Sequence, residues 1–179
     1  MWVRRFLIMA SLLALALMAM TVSGVTDPSK SADQPAVKKE IKWLDLEQGL
    51  KKAFDKEKPV FIDVYTNWCG FCKKMDRETF SDAGIIDYMN DNFIAVKLNA
   101  ESNDKMDLPA GKYTGRQVAR SFSVKGYPTY VFLDANGNKI YARAGYAPPQ
   151  AFIYVLRYVG DGHYKSKTLN EYYREVTAN

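Results

Sequence analysis

A chain of 179 residues with 47% hydrophobic side chains is long enough for one domain with a full core plus short extensions, and a second domain is not expected. Its 25 basic and 20 acidic residues leave a formal charge of +5, but the lysines are scattered among acids and not interleaved with aromatics, which gives no support to nucleic acid as a partner. Two cysteines and one histidine fall short of the four ligands of a structural zinc site, so neither a metal nor a cofactor is expected.

Residues 1–24 carry Arg4 and Arg5, then Phe6 to Met20 without a charge, then the small residues Thr21-Val22-Ser23-Gly24 that suit signal peptidase. This segment reads as an export signal. Left uncleaved, Phe6 to Val25 has about the twenty apolar residues of a bilayer span and would serve as an anchor. Cleavage removes two of the 25 basic residues and none of the 20 acidic ones, leaving about +3. Residues 25–37, with Asp27-Pro28-Ser29 and Gln34-Pro35, read as a flexible linker. The domain itself is assigned to residues 38–162 and a C-terminal extension to 163–179.

Within the domain, Ile41 and Trp43 alternate as a short strand, and Leu44, Leu46, Leu50, Ala53 and Phe54 recur at roughly helical spacing until Lys58-Pro59 stops the helix. Pro59 to Tyr65 is rich in β-branched and aromatic residues and reads as a buried strand that aims the chain at Trp68-Cys69-Gly70-Phe71-Cys72. A helix follows, then a second helical piece that Ser81 can cap, carrying Ile85, Ile86 and Met89, and a strand from Phe93 to Leu98. Asn99 to Gly115 has no clear period and reads as a long surface loop. Arg116 to Phe122 reads as a helix, and Tyr127 to Asp134 with Lys139 to Ala144 as antiparallel strands about an Asn136-Gly137 turn. Pro148 to Tyr158 is a further helix. Leu169, Tyr172, Tyr173 and Val176 keep helical spacing in the tail, to pack on the domain or to serve a partner. This order implies an α/β fold, a central mixed sheet with helices on both faces, with its chemistry beyond the carboxyl end of a central strand.

The two cysteines are a redox pair by position. Cys69 falls at a helix N-terminus, where free amides and the helix dipole favour thiolate; lowering a thiol from ~8.5 to ~7 takes it from about 3% to about half ionised at neutral pH. Lys73 and Lys74 add positive charge nearby. Cys72, one turn on, can resolve a mixed disulfide on Cys69, provided that Cys69 is reachable. So short a loop makes a purely structural disulfide a weak alternative.

Trp68-Cys69-Gly70-Phe71-Cys72-Lys73, Lys97-Leu98-Asn99 and Gly126-Tyr127-Pro128-Thr129 resemble the cysteine motif, lysine strand and cis-proline loop of the thioredoxin superfamily. Lys58-Pro59-Val60, Asp63, Tyr65 and Thr79-Phe80-Ser81-Asp82 are further similar to the periplasmic C-terminal domain of the bacterial disulfide-interchange transporter. The resemblance covers roughly Lys38 to Gly160 and implies a thioredoxin fold. It also implies that Lys97 partners Asp63, an acid six residues before Cys69 that burial would tune as a base for Cys72. Pro128 is expected cis, with Tyr127 beside Cys69 and a backbone edge open to substrate by strand addition. Trp68, Gly70, Phe71 and Tyr127 then form the substrate rim. Gly70-Phe71 in place of Gly-Pro, Tyr127 before the proline and the 99–115 loop depart from thioredoxin. His163 matches no catalytic position and reads as a surface residue.

The expected function is an exported, periplasmic thiol:disulfide oxidoreductase that reduces protein disulfides. Its expected partners are protein thiols and disulfides and a redox partner protein, soluble or membrane-bound. An oxidase or isomerase, and a redox-inert peptide-binding or chaperone module, are the alternatives on the same scaffold.

Overall fold

The computed structural model describes residues 39–178, so the export signal or anchor and the linker assigned above lie outside the described residues. In chain order the elements begin with α1 (Leu46–Lys56), β1 (Val60–Tyr65), α2 (Gly70–Lys74), which runs on into a π turn (Met75–Thr79), α3 (Ala83–Asn92) and β2 (Ile94–Asn99). They continue with β3 (Lys105–Leu108), β4 (Gly111–Thr114), α4 (Gly115–Ser121), β5 (Thr129–Leu133), β6 (Lys139–Ala144), α5 (Pro149–Gly160), a 3-10 turn (His163–Lys165) and α6 (Leu169–Thr177).

The main sheet runs β2-β1-β5-β6. β1 pairs parallel with β2, placing Asp63 opposite Lys97, and antiparallel with β5. Strand alternation divides β1 between two cores. Val60, Ile62 and Val64 pack with Leu46, Ala53, Val118 and Ala119 of α1 and α4. Phe61 points the other way, into Ile85, Met89, Phe152 and Leu156 of α3 and α5. Its ring meets those of Phe132 at 5.3 Å, Phe152 at 5.8 Å and Phe80 at 6.0 Å, edge-on contacts worth about 0.5–1.5 kcal/mol each beyond burial. Helices on both faces of a mixed sheet are the architecture expected from the element order.

Three local expectations are corrected. Ile41 and Trp43 do not form a strand: Ile41 is buried in the Phe61 core, Trp43 packs on Phe80 and Phe61, and backbone pairing is confined to a bridge between Leu44 and Val96. The cap of α3 is Asp82, whose carboxylate accepts from Ile85 N at 3.0 Å, while Ser81 Oγ donates back to Arg77 O. The 99–115 segment is not a structureless loop, because it holds the β3-β4 hairpin, with Met106 and Leu108 turned onto the α1 and α4 core and Lys105 and Asp107 turned outward. His163 is half-buried in the 3-10 turn at the surface, its ring stacked on Tyr172 at 4.5 Å.

Close approach at one glycine ties α4 to the end of β2. A Cβ on Gly115 would lie 2.2 Å from Asn99 O, so no other residue fits there without moving backbone. The tail packs on the domain through α6, which opens with a Thr168–Glu171 capping box and buries Tyr172 against Tyr158 of α5.

Candidate active site

β1 ends at Tyr65, and Cys69 N, bonded to Thr66 O at 3.2 Å, turns the chain into α2. Cys69 is the N-cap of that helix: its Sγ accepts from Cys72 N at 3.0 Å, one of the amides a helix start leaves without an intrahelical partner. The two cysteines are joined as a disulfide with Cα atoms 5.3 Å apart. Cys69 is only 4% exposed and Cys72 3%, so in this oxidised state both sulfurs are covered and the reachability expected of Cys69 is not seen. Trp68 (66% exposed) and Phe71 (62%) flank the cysteines in sequence, and the Trp68 ring stands edge-on to Tyr127 at 5.8 Å. Trp68 Nε1 is held by Glu101 Oε1 at 3.0 Å. Gly70 has open space around its Cα. The Tyr127-Pro128 bond is cis.

On β1, Asp63 is 1% exposed and Lys97 Nζ lies 2.8 Å from its Oδ2. Its Oδ1 accepts no hydrogen bond from any described residue. Burial pushes the Asp63 carboxyl above the usual carboxylate range, and the Lys97 charge only partly opposes that. For Lys97 burial works downward, but the carboxylates of Asp63 and Asp76 outweigh it and hold the ammonium above its ordinary value. Asp76, on the π turn, contacts the same Nζ. The ammonium also lies 4.8 Å from the Trp43 ring centroid and 5.3 Å from that of Phe80.

The structure thus brings Asp63 and Lys97 together as a pair, Cys69 and Cys72 as a pair, and Trp68 beside Tyr127. Lys74, expected to add to the field at Cys69, is engaged elsewhere, 3.8 Å from Glu78 and over the Tyr146 ring. Sequence reasoning missed Asp76 and Glu101. Asp76 had a signal, since it follows Cys72 by four residues and so falls on the same helix face. Glu101 had none, lying in a segment without a period. Among the described residues no group of three or more His, Cys, Asp or Glu side chains is placed to hold a metal.

The cysteine pair closes the first turn of a helix that follows a central strand, and comparison with known proteins accords with this fold. Residues 46–160 match the thioredoxin-like domain. The chain belongs to the thioredoxin-like family. It is 32% identical over 114 residues to the thiol:disulfide interchange protein DsbD of Ralstonia nicotianae, 63% of this chain and 17% of that protein. With DsbD of Escherichia coli (strain K12) the identity is 34% over 101 residues, 56% of this chain and 16% of that protein. The chain therefore spans about a sixth of the length of these relatives. Among solved structures, a thioredoxin-fold protein from Helicobacter pylori superposes with a TM-score of 0.60 at 24% identity, covering 74% of this chain and 92% of that one. A putative disulphide-isomerase from Bacteroides thetaiotaomicron gives 0.54 at 27% identity, covering 72% and 94%. Family and cysteine pair together place the domain among thioredoxin-like thiol:disulfide oxidoreductases.

Proposed function

We propose that this protein is exported to the periplasm and reduces disulfides of other proteins there. The observation that carries the reading is the Cys69–Cys72 disulfide closed across the first turn of α2, with Cys69 Sγ facing the Cys72 amide. Similarity to thiol:disulfide interchange proteins supports the reducing direction, and the N-terminal segment supports export.

In the reduced form, the Cys69 thiolate, stabilised by helix amides, attacks one sulfur of a substrate disulfide and expels the other as a thiolate. Trp68, Gly70, Phe71, Tyr127 and Pro128 form the surface on which the substrate chain docks. Cys72 then attacks Cys69 Sγ, its proton passing to Asp63, whose raised pKa suits it to act as a base near neutral pH and whose charge Lys97 steadies. The substrate leaves as a dithiol and the protein as the disulfide seen here. Two electrons have moved to substrate, and a separate redox partner protein must return two to Cys69–Cys72.

Replacement of Cys72 by Ala should halt the cycle at the mixed disulfide, so that a disulfide-containing peptide accumulates covalently on Cys69 and is released by dithiothreitol. Cys69→Ser should abolish both trapping and turnover; retained activity in that variant would point instead to a redox-inert peptide-binding module. A measured potential near about −120 mV, that of a strong oxidant, would overturn the reducing direction in favour of an oxidase.

A further inference from the structure

We propose that Trp43 is a positioning residue for the redox reaction: with Tyr65 and Phe80 it boxes the Lys97 ammonium against Asp63, so that the acid keeps a cation beside it whether or not it holds a proton. That role rests on the reading of Asp63 as the base for Cys72, whereas the box itself does not. Lys97 Nζ lies 4.8 Å from the centroid of the Trp43 ring, 5.3 Å from that of Phe80 and 5.4 Å from that of Tyr65. A cation over an aromatic face is drawn to its electron density, and the pull grows where water is excluded.

Each ring arrives from a different segment. Tyr65 lies two residues beyond Asp63 on β1 and so on the same face of the strand. Phe80 closes the π turn that bears Asp76, its N donating to Met75 O at 2.8 Å. Trp43 comes from the chain entering the domain, which is clamped along the edge of β2. There Leu44 N donates to Ala95 O at 2.9 Å, and Lys97 N donates to Leu44 O at 3.1 Å. Asn90 of α3 fixes the preceding residues, accepting from Lys42 N at 3.0 Å and donating to Glu40 O at 2.9 Å. The Trp43 ring is then held edge-on against Phe80 at 5.1 Å.

The need for rings follows from the two carboxylates. Lys97 carries its charge on a flexible stem, and its partners are unequal, the Asp63 side chain being 1% exposed and that of Asp76 51%. When Asp63 takes up a proton its hold on the ammonium falls away, and Asp76 alone would draw the cation toward solvent. The ring faces do not change with that proton, so they keep Lys97 in place until Asp63 ionises again. Tyr130 of β5, opposite Asp63 in the sheet, also faces the acid; it donates to Gly145 O, and burial pushes it up to about 12, so it stays neutral while Asp63 titrates.

The test removes the face of the ring in two ways: by Trp43→Leu, and by tetrafluorotryptophan introduced at Trp43, which keeps the shape and withdraws the π electrons. In the oxidised full chain, where no turnover occurs, the Asp63 carboxyl is titrated by carbon NMR of aspartate-labelled protein, with Asp63→Asn assigning its signal. Both replacements should lower its ionisation constant about two- to fivefold, the worth of one cation–ring contact. The acid limb of single-turnover disulfide reduction by the reduced chain should move to higher pH to the same extent, because Asp63 accepts the Cys72 proton only when ionised. A titration that tetrafluorotryptophan leaves unmoved would overturn the box, even if Trp43→Leu shifts it, since the shift would then come from lost packing. A titration that moves while the acid limb stays, with Asp63→Asn still slowing reduction, would leave the box without a part in the reaction and overturn the role of Trp43. Reduction unchanged by Asp63→Asn would instead remove the base, and the role of Trp43 with it.

Discussion

Asp63 carries the largest electrostatic consequence in the domain because one oxygen faces Lys97 and the other has no hydrogen-bond donor among the described residues. Its carboxyl is raised by burial above its ordinary 3.8, so the folded chain keeps a proton that the unfolded chain gives up. The stability this contributes is complete below about pH 4 and is lost as pH rises through the raised value. Asp63→Asn removes that slope. Urea denaturation of the oxidised proteins should therefore show the variant gaining on the parent as pH rises from about 4 to 8. A difference that stays flat with pH would mean that Lys97 fully tolerates the ionised form. In the same variant, reduction of a substrate disulfide at neutral pH should slow several-fold, because the base proposed for Cys72 is removed. Most of this chemistry was legible from spacing: Asp63 at the end of an apolar run, Cys69 and Cys72 one turn apart, Lys97 by resemblance. What was not legible is that Lys97 also serves Asp76 and sits against Trp43 and Phe80, since those contacts join four separate segments that only the tertiary fold assembles.

At the level of elements, long strongly patterned segments declared themselves and short ones did not. β1 reads from its apolar run, and β6 from the turn before it, where Gly137 has φ +87° and Asp134 accepts from Asn136 N and Asn138 N. The π turn after α2 has no sequence signal, because what accompanies it is distant: Thr79 Oγ1 donates to Ala147 O at 2.7 Å and Ala147 N to Met75 Sδ at 3.4 Å. The β3-β4 hairpin is built from four-residue strands, too short for alternation to outweigh the surrounding polar residues. The cap of α3 offers a clean measurement. Asp82→Ala removes the carboxylate that accepts from Ile85 N and should cost about 1 kcal/mol in urea denaturation with an unchanged m-value. Ser81→Ala, which loses only an exposed bond to Arg77 O, should stay within about 0.5 kcal/mol. A larger loss at Ser81 than at Asp82 would reverse the assignment of the cap.

Across the described domain, the sheet order separates the cysteines from the tail. The disulfide follows β1 in the middle of the sheet, whereas α6 packs on α5 beside β6, an edge strand. The tail is held on α5 by ring contacts of Tyr172 with Tyr158 at 5.9 Å and of Tyr173 with Tyr154 at 5.4 Å and by Tyr158 Oη, which donates to Lys167 O at 2.8 Å, while His163 stacks on Tyr172. The sequence pattern showed a helix there but left open what it meets, because an apolar stripe does not say which surface covers it. Removing residues 163–179 exposes the Tyr158 and Tyr141 end of the core and deletes a buried tyrosine, a change comparable to a large aromatic truncation of about 3–5 kcal/mol. Against a total stability of about 5–15 kcal/mol the shortened chain should still fold. Its melting temperature should drop by on the order of 10 °C. At 25 °C its rate of disulfide reduction should match that of the full chain, since none of these contacts reaches Cys69, Asp63 or Tyr127. A lowered rate in chains shown to be folded by circular dichroism would mean that the tail is coupled to the site, through α5 and the π turn it adjoins.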